Sequence, residues 1–364
     1  MAPPSPAPPP ATAAAPSSSS SSSSPGWSTG GKVDWRTVPD LDDLPPVEGQ
    51  PAGCAWNFWG RDDRLGTLNL LTPQVVAAAA ASEVRTGERV QIDWGLDSVD
   101  VPLIDRKPFH HRLVDLHASL GVYATDDELH LNTQTSSQFD GFAHFAWNDD
   151  RQGTNGVYYQ GLRHQDLHSA DDAASRNHLG IHHWCMAGGI AGRGVLVDWV
   201  RWWEETRSDP LPAGNTSYPI PLSQIEAVLA HQRTELRPGD ILLLRTGVVR
   251  WCESASMRQK QEAFTGDDNF PGFEPTEESK RWLWNHKFAA VAADNPSFEH
   301  GPHGDLWLHN WLLPMWGCPI GELFDLERLS QTCKAHDRWS FFITSAPYRV
   351  TGGIASSPNS ICIF

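Results

Sequence analysis

The richest concentration of chemistry-bearing side chains is one run, Asn132-Thr133-Gln134-Thr135-Ser136-Ser137-Gln138-Phe139-Asp140-Gly141-Phe142-Ala143-His144. Gln134, Gln138, Asp140 and His144 are each able to ligate a metal or bind and move a proton. Their spacing sets a condition. In a regular strand Gln134 and Gln138 would stand ~13 Å apart at ~3.3 Å per residue. Metal–oxygen bonds span only ~2.0–2.6 Å, so the segment must bend if these residues converge. Ser136, Ser137 and Gly141 permit a bend. A polar loop that caps a helix would read the same way.

Two further stretches carry candidates. His309 is followed thirteen residues later by Glu322, across the apolar Trp311-Leu312-Leu313-Pro314 and Gly317-Cys318-Pro319-Ile320. A His and a Glu flanking such a turn are able to point into one cavity, although a lone His among apolar residues also serves as a satisfied core residue. Asp294-Asn295-Pro296-Ser297-Phe298-Glu299 follows an apolar run directly. Polar residues at the C-terminal end of a strand often line a site in α/β proteins, and an Asn-Pro turn is the plain alternative.

The elements that must position these residues alternate. Thr72-Pro73 is an N-cap followed by Pro at the first helical position, so a helix is predicted over Gln74–Val84 and stopped by Gly87. Val90–Trp94 reads as a strand, as does Gly194–Asp198. Leu222–Gln232 reads as a helix. Pro238-Gly239-Asp240 is a turn into a buried strand, Ile241–Arg245. A short helix over Ser279–His286 and a buried strand over Phe288–Ala293 follow. Gly188-Gly189-Ile190-Ala191-Gly192-Arg193-Gly194 is Gly-rich but precedes its strand, whereas a dinucleotide loop must follow one. The pattern predicts a single α/β domain with a mixed β-sheet over 54–364. Residues 1–31 are mostly Pro, Ala and Ser, with an eight-Ser run, Ser17 to Ser24. They have almost nothing to bury and are expected to be a disordered tail. Residues 32–53, rich in Pro and Asp, are expected to wrap the surface.

Composition narrows the partners. A net charge of −16 over 364 residues argues against nucleic acid, which needs clustered Lys and Arg, and against anionic membrane surfaces. No apolar run approaches the ~18 residues needed to cross a bilayer. A small molecule is the expected partner. Six scattered Cys with no C-x-x-C pair suit reduced thiols and a cytoplasmic location. Seventeen Trp provide core packing, or an aromatic-lined pocket for a planar substrate. There is no G-x-S-x-G elbow, no P-loop and no H-E-x-x-H.

These pieces, in this order, resemble the cyclase family, the metal-dependent hydrolases that include kynurenine formamidases and isatin hydrolases. The opening Trp59-Gly60-Arg61-Asp62-Asp63-Arg64-Leu65-Gly66-Thr67-Leu68-Asn69 is similar to that of its longer members. So are Gly194–Asp198, Pro238–Gly247, Asp294–Glu299 and the stretch from His309 to Glu322, and the resemblance spans about residues 56–329. It implies the swivelling β/β/α fold of that family, and a homo-oligomer. Its His-x-Gly-Thr-His-x-Asp-x-x-x-His motif falls on Gln134 through His144. Asp140 and His144 match, while Gln134 and Gln138 stand where two metal-binding His would be. In the two-metal relatives Asp, the distant His and Glu hold one ion. The resemblance therefore implies a divalent metal, Mn or Zn, on Asp140, His309 and Glu322, as a single ion or none. It implies proton transfer by His144, Asp140 and Glu322, and substrate contacts from Gln134, Gln138 and Asn295. The implied activity is formamidase-like hydrolysis of an amide, lactam or lactone of a small aromatic substrate through an activated water. A cyclase, lyase or dehydratase on the same fold and a non-catalytic binding protein are the alternatives. Gln is a neutral donor that suits Mn, Mg or Ca better than Zn.

Overall fold

The structure is a computed structural model that describes residues 34–102, 106–147, 156–169, 177–264, 269–302 and 304–364. The expected disordered tail lies outside the described residues. A nine-stranded sheet organises the chain. Its strands are β1 (Arg89–Gln91), β4 (Gln138–Asp140), β5 (Ile190–Asp198), β7 (Ile241–Arg245), β9 (Ala290–Ala293), β10 (Ile320–Glu322), β11 (Ser340–Ser345), β12 (Ala355–Ser356) and β13 (Ser360–Ile363). Two small pairs complete the set: β2 (His110–Asp115) with β3 (Thr125–His130), and β6 (Tyr218–Ile220) with β8 (Pro271–Phe273). The order in the large sheet is β1-β13-β11-β5-β7-β9-β10-β4-β12. The central run β5-β7-β9-β10 is parallel, and the pairs on either side are antiparallel. Parallel strands are covered on both faces, which is why β9 and the first four residues of β7 are apolar and both strands are fully buried.

Most boundaries follow local chemistry. The helix Pro73–Glu83 starts where Thr72 accepts a hydrogen bond from the Val75 N–H. Thr276 caps the helix Glu277–Asn285 in the same manner through Ser279. One expectation is corrected. Most of the Gly-rich run does not precede β5: the strand begins at Ile190, so residues 190–194 form its first half and only Gly188 and Gly189 lie before it. Gly194 is required there: a Cβ would lie 2.4 Å from the Phe341 ring on β11.

Residues 34–53 are mostly exposed or half-buried, and the segment also inserts side chains. Val38, Leu41 and Leu44 are buried. Pro39 O accepts from the Trp284 indole, and Asp40 and Asp42 pair with Lys287 and Arg281. The Trp content serves packing first: Trp184, Trp199 and Trp316 are among the largest fully buried side chains. All six Cys are free thiols, five of them buried. Among the described residues no helix is long and apolar enough to cross a membrane.

Candidate metal centre

The site is built on the antiparallel pair β4 and β10. Register places Gln138 opposite Glu322 and Asp140 opposite Ile320. Side chains directly opposite share a face, so Gln138, Asp140 and Glu322 project from one side of the sheet. The bend that the spacing demanded is present. Residues 133–137 turn sharply before β4, and Gln138 Nε2 reaches Gln134 Oε1 at 3.3 Å. Serines fasten the turn. Ser137 Oγ donates to Leu323 O at 2.6 Å and accepts from the Trp94 N–H, while Ser136 Oγ donates to Trp94 O. Arg106 donates to Gln134 O from outside.

His309 arrives from the other direction, at the centre of a short helical turn, Leu308–Asn310, that runs into a π-helix, Trp311–Trp316. Pro314 lies inside that helix, where it has no N–H to donate and its ring crowds the preceding turn. The wider π turn answers this, and such turns recur at functional sites. Gly317, at φ +64°, ends it in close contact with Gly66.

Asp140, His309 and Glu322 thereby come together. A ligand atom from each lies within 4.8 Å of the other two, and all three residues are buried. The electrostatics explain what such a cluster needs. Burial, and then the Asp140 charge beside it, push the Glu322 carboxyl up to about 7. Burial disfavours a charged His309, but the carboxylates of Glu299 and Glu322 outweigh it and hold the ring well above the usual histidine range. His309 Nδ1 lies 3.0 Å from Glu299 Oε1, and Nε2 lies 3.2 Å from Glu322 Oε1. Glu299 thus turns Nε2 inward, as the carboxylate behind a metal-binding His does. Asp140 Oδ2 is buried and accepts no hydrogen bond. Two buried carboxylates, an oriented imidazole and an unsatisfied carboxylate oxygen fit a divalent cation.

The other predicted residues divide. Gln134 Nε2 donates to Asp140 Oδ1 at 2.6 Å and faces His144 Nδ1 at 3.1 Å. Gln138 Nε2 donates to Glu322 Oε2 at 2.5 Å. Both therefore belong to the centre. His144 Nε2 lies 3.8 Å from Asp140 Oδ2, and its side chain, at 23% exposure, is the most accessible of the group. Burial lowers its pKa, only partly offset by Asp140, which favours the neutral ring. Asn295 is not brought in with them. Its amide is spent on backbone, donating to Pro271 O, Phe298 O and Glu299 O and accepting from the Phe298 N–H. It shapes the loop that delivers Glu299. Glu299 was missed in the sequence although it lies in the same stretch. An acid that closes a polar turn after an apolar run, ten residues before a candidate ligand His, was the available signal. Phe145 was missed too; its ring packs edge-on against His309 at 5.3 Å and stacks on Trp307 at 5.6 Å, giving the centre an aromatic wall.

Comparison with known proteins agrees with this architecture. A family model described as "putative cyclase" matches residues 63–300. A crystal structure of a novel cyclase is 30% identical, covers 85% of this chain and 99% of its own, and superposes with a TM-score of 0.73. Isatin hydrolase A from Labrenzia aggregata, bound to benzyl benzoate, is 16% identical over 79% of this chain and 97% of its own, with a TM-score of 0.51. Isatin hydrolase A from Ralstonia solanacearum is 15% identical over 80% and 95%, with a TM-score of 0.50. No curated protein matches.

Proposed function

The chain belongs to the cyclase family, and on that premise we propose that it is a metal-dependent hydrolase opening an amide, lactam or lactone of a small aromatic substrate. One observation carries the reading: three ligand types from distant parts of the chain converge in a buried cluster, with Glu299 orienting the imidazole. Asp140, His309 and Glu322 would hold the ion. Bound there, a divalent cation supplies Lewis acidity toward the substrate carbonyl and lowers the pKa of a water.

The chain's own groups supply the rest. His144 Nδ1 faces the Gln134 NH2 donor, so the neutral ring keeps its proton on Nε2, the nitrogen nearest Asp140. From there it hands a proton to the leaving nitrogen or oxygen. Glu322, whose Oε2 is turned toward Gln138, accepts the proton given up by the attacking water. Phe145 and Trp307 offer flat apolar surface that suits an aryl group.

Dialysis against a chelator should abolish hydrolysis of an aryl formamide, and Mn or Zn should restore it. Full activity in metal-free protein would overturn the proposal. A second reading, a cyclase, lyase or dehydratase, draws support from one feature. Gln134 ties Asp140 and His144 into a single hydrogen-bonded unit, which is an acid–base pair that needs no hydrolytic water. Turnover of a carbonyl substrate by metal-free protein, with no ¹⁸O taken from labelled water, would select it.

A further inference from the structure

The two glutamines do more than fill space, because their hydrogens run in one direction. Gln138 Nε2 donates to Glu322 Oε2 and to Gln134 Oε1. Gln134 Nε2 donates to Asp140 Oδ1 and to His144 Nδ1. Each NH2 group has two hydrogens, and here each is used twice. The orientation is forced. Rotating either amide would place its oxygen against a carboxylate oxygen, and both residues are buried, Gln138 completely.

This arrangement divides the four carboxylate oxygens into two pairs. Asp140 Oδ1 and Glu322 Oε2 are each capped by an N–H donor at 2.6 and 2.5 Å. An N–H carries partial positive charge, so a cation cannot approach the same oxygen from that side. Asp140 Oδ2 accepts no hydrogen bond, and Glu322 Oε1 faces His309 Nε2. This second pair, with the imidazole, is free of amide donors and is the set a cation would share. We propose that Gln134 and Gln138 are positioning residues that limit the centre to a single ion and hold His144 as the Nε2–H tautomer. The inference rests on the metal-centre reading above but concerns how many ions the centre takes.

The test is the number of ions per chain, measured by elemental analysis after saturation with Mn and gel filtration. Wild type is expected to hold one. Gln134→Glu with Gln138→Glu keeps shape and volume but replaces both donors with anionic acceptors, and this variant is expected to hold a second ion. A purely structural role for the glutamines would change melting temperature and leave the count alone. Two ions in wild type would overturn this inference while leaving the centre standing, and that outcome does not depend on the variant folding. No ion in wild type would overturn both. One ion in wild type and in the folded double variant would also overturn it. Nitrogen-15 spectra of labelled histidine give an independent readout. The signal lost in His144→Gln should be of the Nε2–H form in wild type and should leave that form in Gln134→Glu, which presents an acceptor to Nδ1. An Nδ1–H signal in wild type would contradict the proposal.

Discussion

Glu299 makes its contribution through another side chain. Its Oε1 meets both the backbone N–H and Nδ1 of His309, which fixes the ring plane and presents Nε2 to Asp140 and Glu322. Glu299→Gln keeps the size of the side chain but removes the charge that makes Nε2 the better donor. Metal affinity should fall ~10–100-fold, read by calorimetric titration, since partners of this kind contribute about that much. Unchanged affinity would place Glu299 outside the centre. His144 makes the opposite prediction. Replacing it with Gln should lower turnover ~10²–10⁴-fold with metal content unchanged, because it moves protons without holding the ion. At this scale the sequence was partly legible. Asp140, His309 and Glu322 stand out by residue type, but their grouping as one centre came only through the family resemblance, because nothing in their spacing says that they meet. Glu299 escaped because the chain reaches it through Phe298 at φ +64°, a conformation that a bulky residue rarely adopts. Asn295, in the same stretch, has an equally polar side chain, but the loop itself consumes it.

Elements bring these residues to their places, and two of them do so through unusual backbone. Leu323, immediately after Glu322, also sits at positive φ, +53°, with its N–H bonded to Asn295 O and its carbonyl bonded to Ser137. Strain of this kind, ~1–3 kcal/mol per residue, persists where the surroundings over-determine it. Ser137→Ala should therefore loosen the join between the turn before β4 and the end of β10. A destabilisation of ~1–3 kcal/mol in urea is expected, because the buried Leu323 O and Trp94 N–H would lose a partner. The second case is the crossing of Gly66 over Gly317, where a Cβ on Gly66 would lie 1.8 Å from the Gly317 carbonyl oxygen. Gly66→Ala should cost at least the ~1–3 kcal/mol of an overpacked core, and it should disturb the π-helix that follows His309. Equal urea midpoints for wild type and Gly66→Ala would refute this close approach. The helices after Thr72 and Pro221 and the strand β7 were readable because caps, turns and apolar runs are local signals. The exposed β2–β3 pair was not. Its alternation is blurred by charged residues on both faces, and all twelve of its residues are exposed or half-buried.

For the whole molecule, the alternation of helix and strand signals anticipated a single α/β domain, and the described residues from 34 onward form one compact unit. The role of the segment after residue 33 was less visible, because Pro and Asp dominate its composition while three scattered apolar residues do the packing. This gives a paired prediction. Removal of residues 1–33 should leave melting temperature and turnover unchanged. Removal of 1–53 should destabilise the fold by several kcal/mol, since burying Val38, Leu41 and Leu44 contributes ~1.5–3 kcal/mol each. Equal melting temperatures for the two truncations would mean that the segment only lies on the surface.

The centre itself is tested most directly by anomalous diffraction at the manganese edge from crystals of the full chain grown with Mn. A single strong peak should fall between Asp140, His309 Nε2 and Glu322, and it should vanish in His309→Ala. A peak elsewhere, or one that persists unchanged in His309→Ala, would contradict the account.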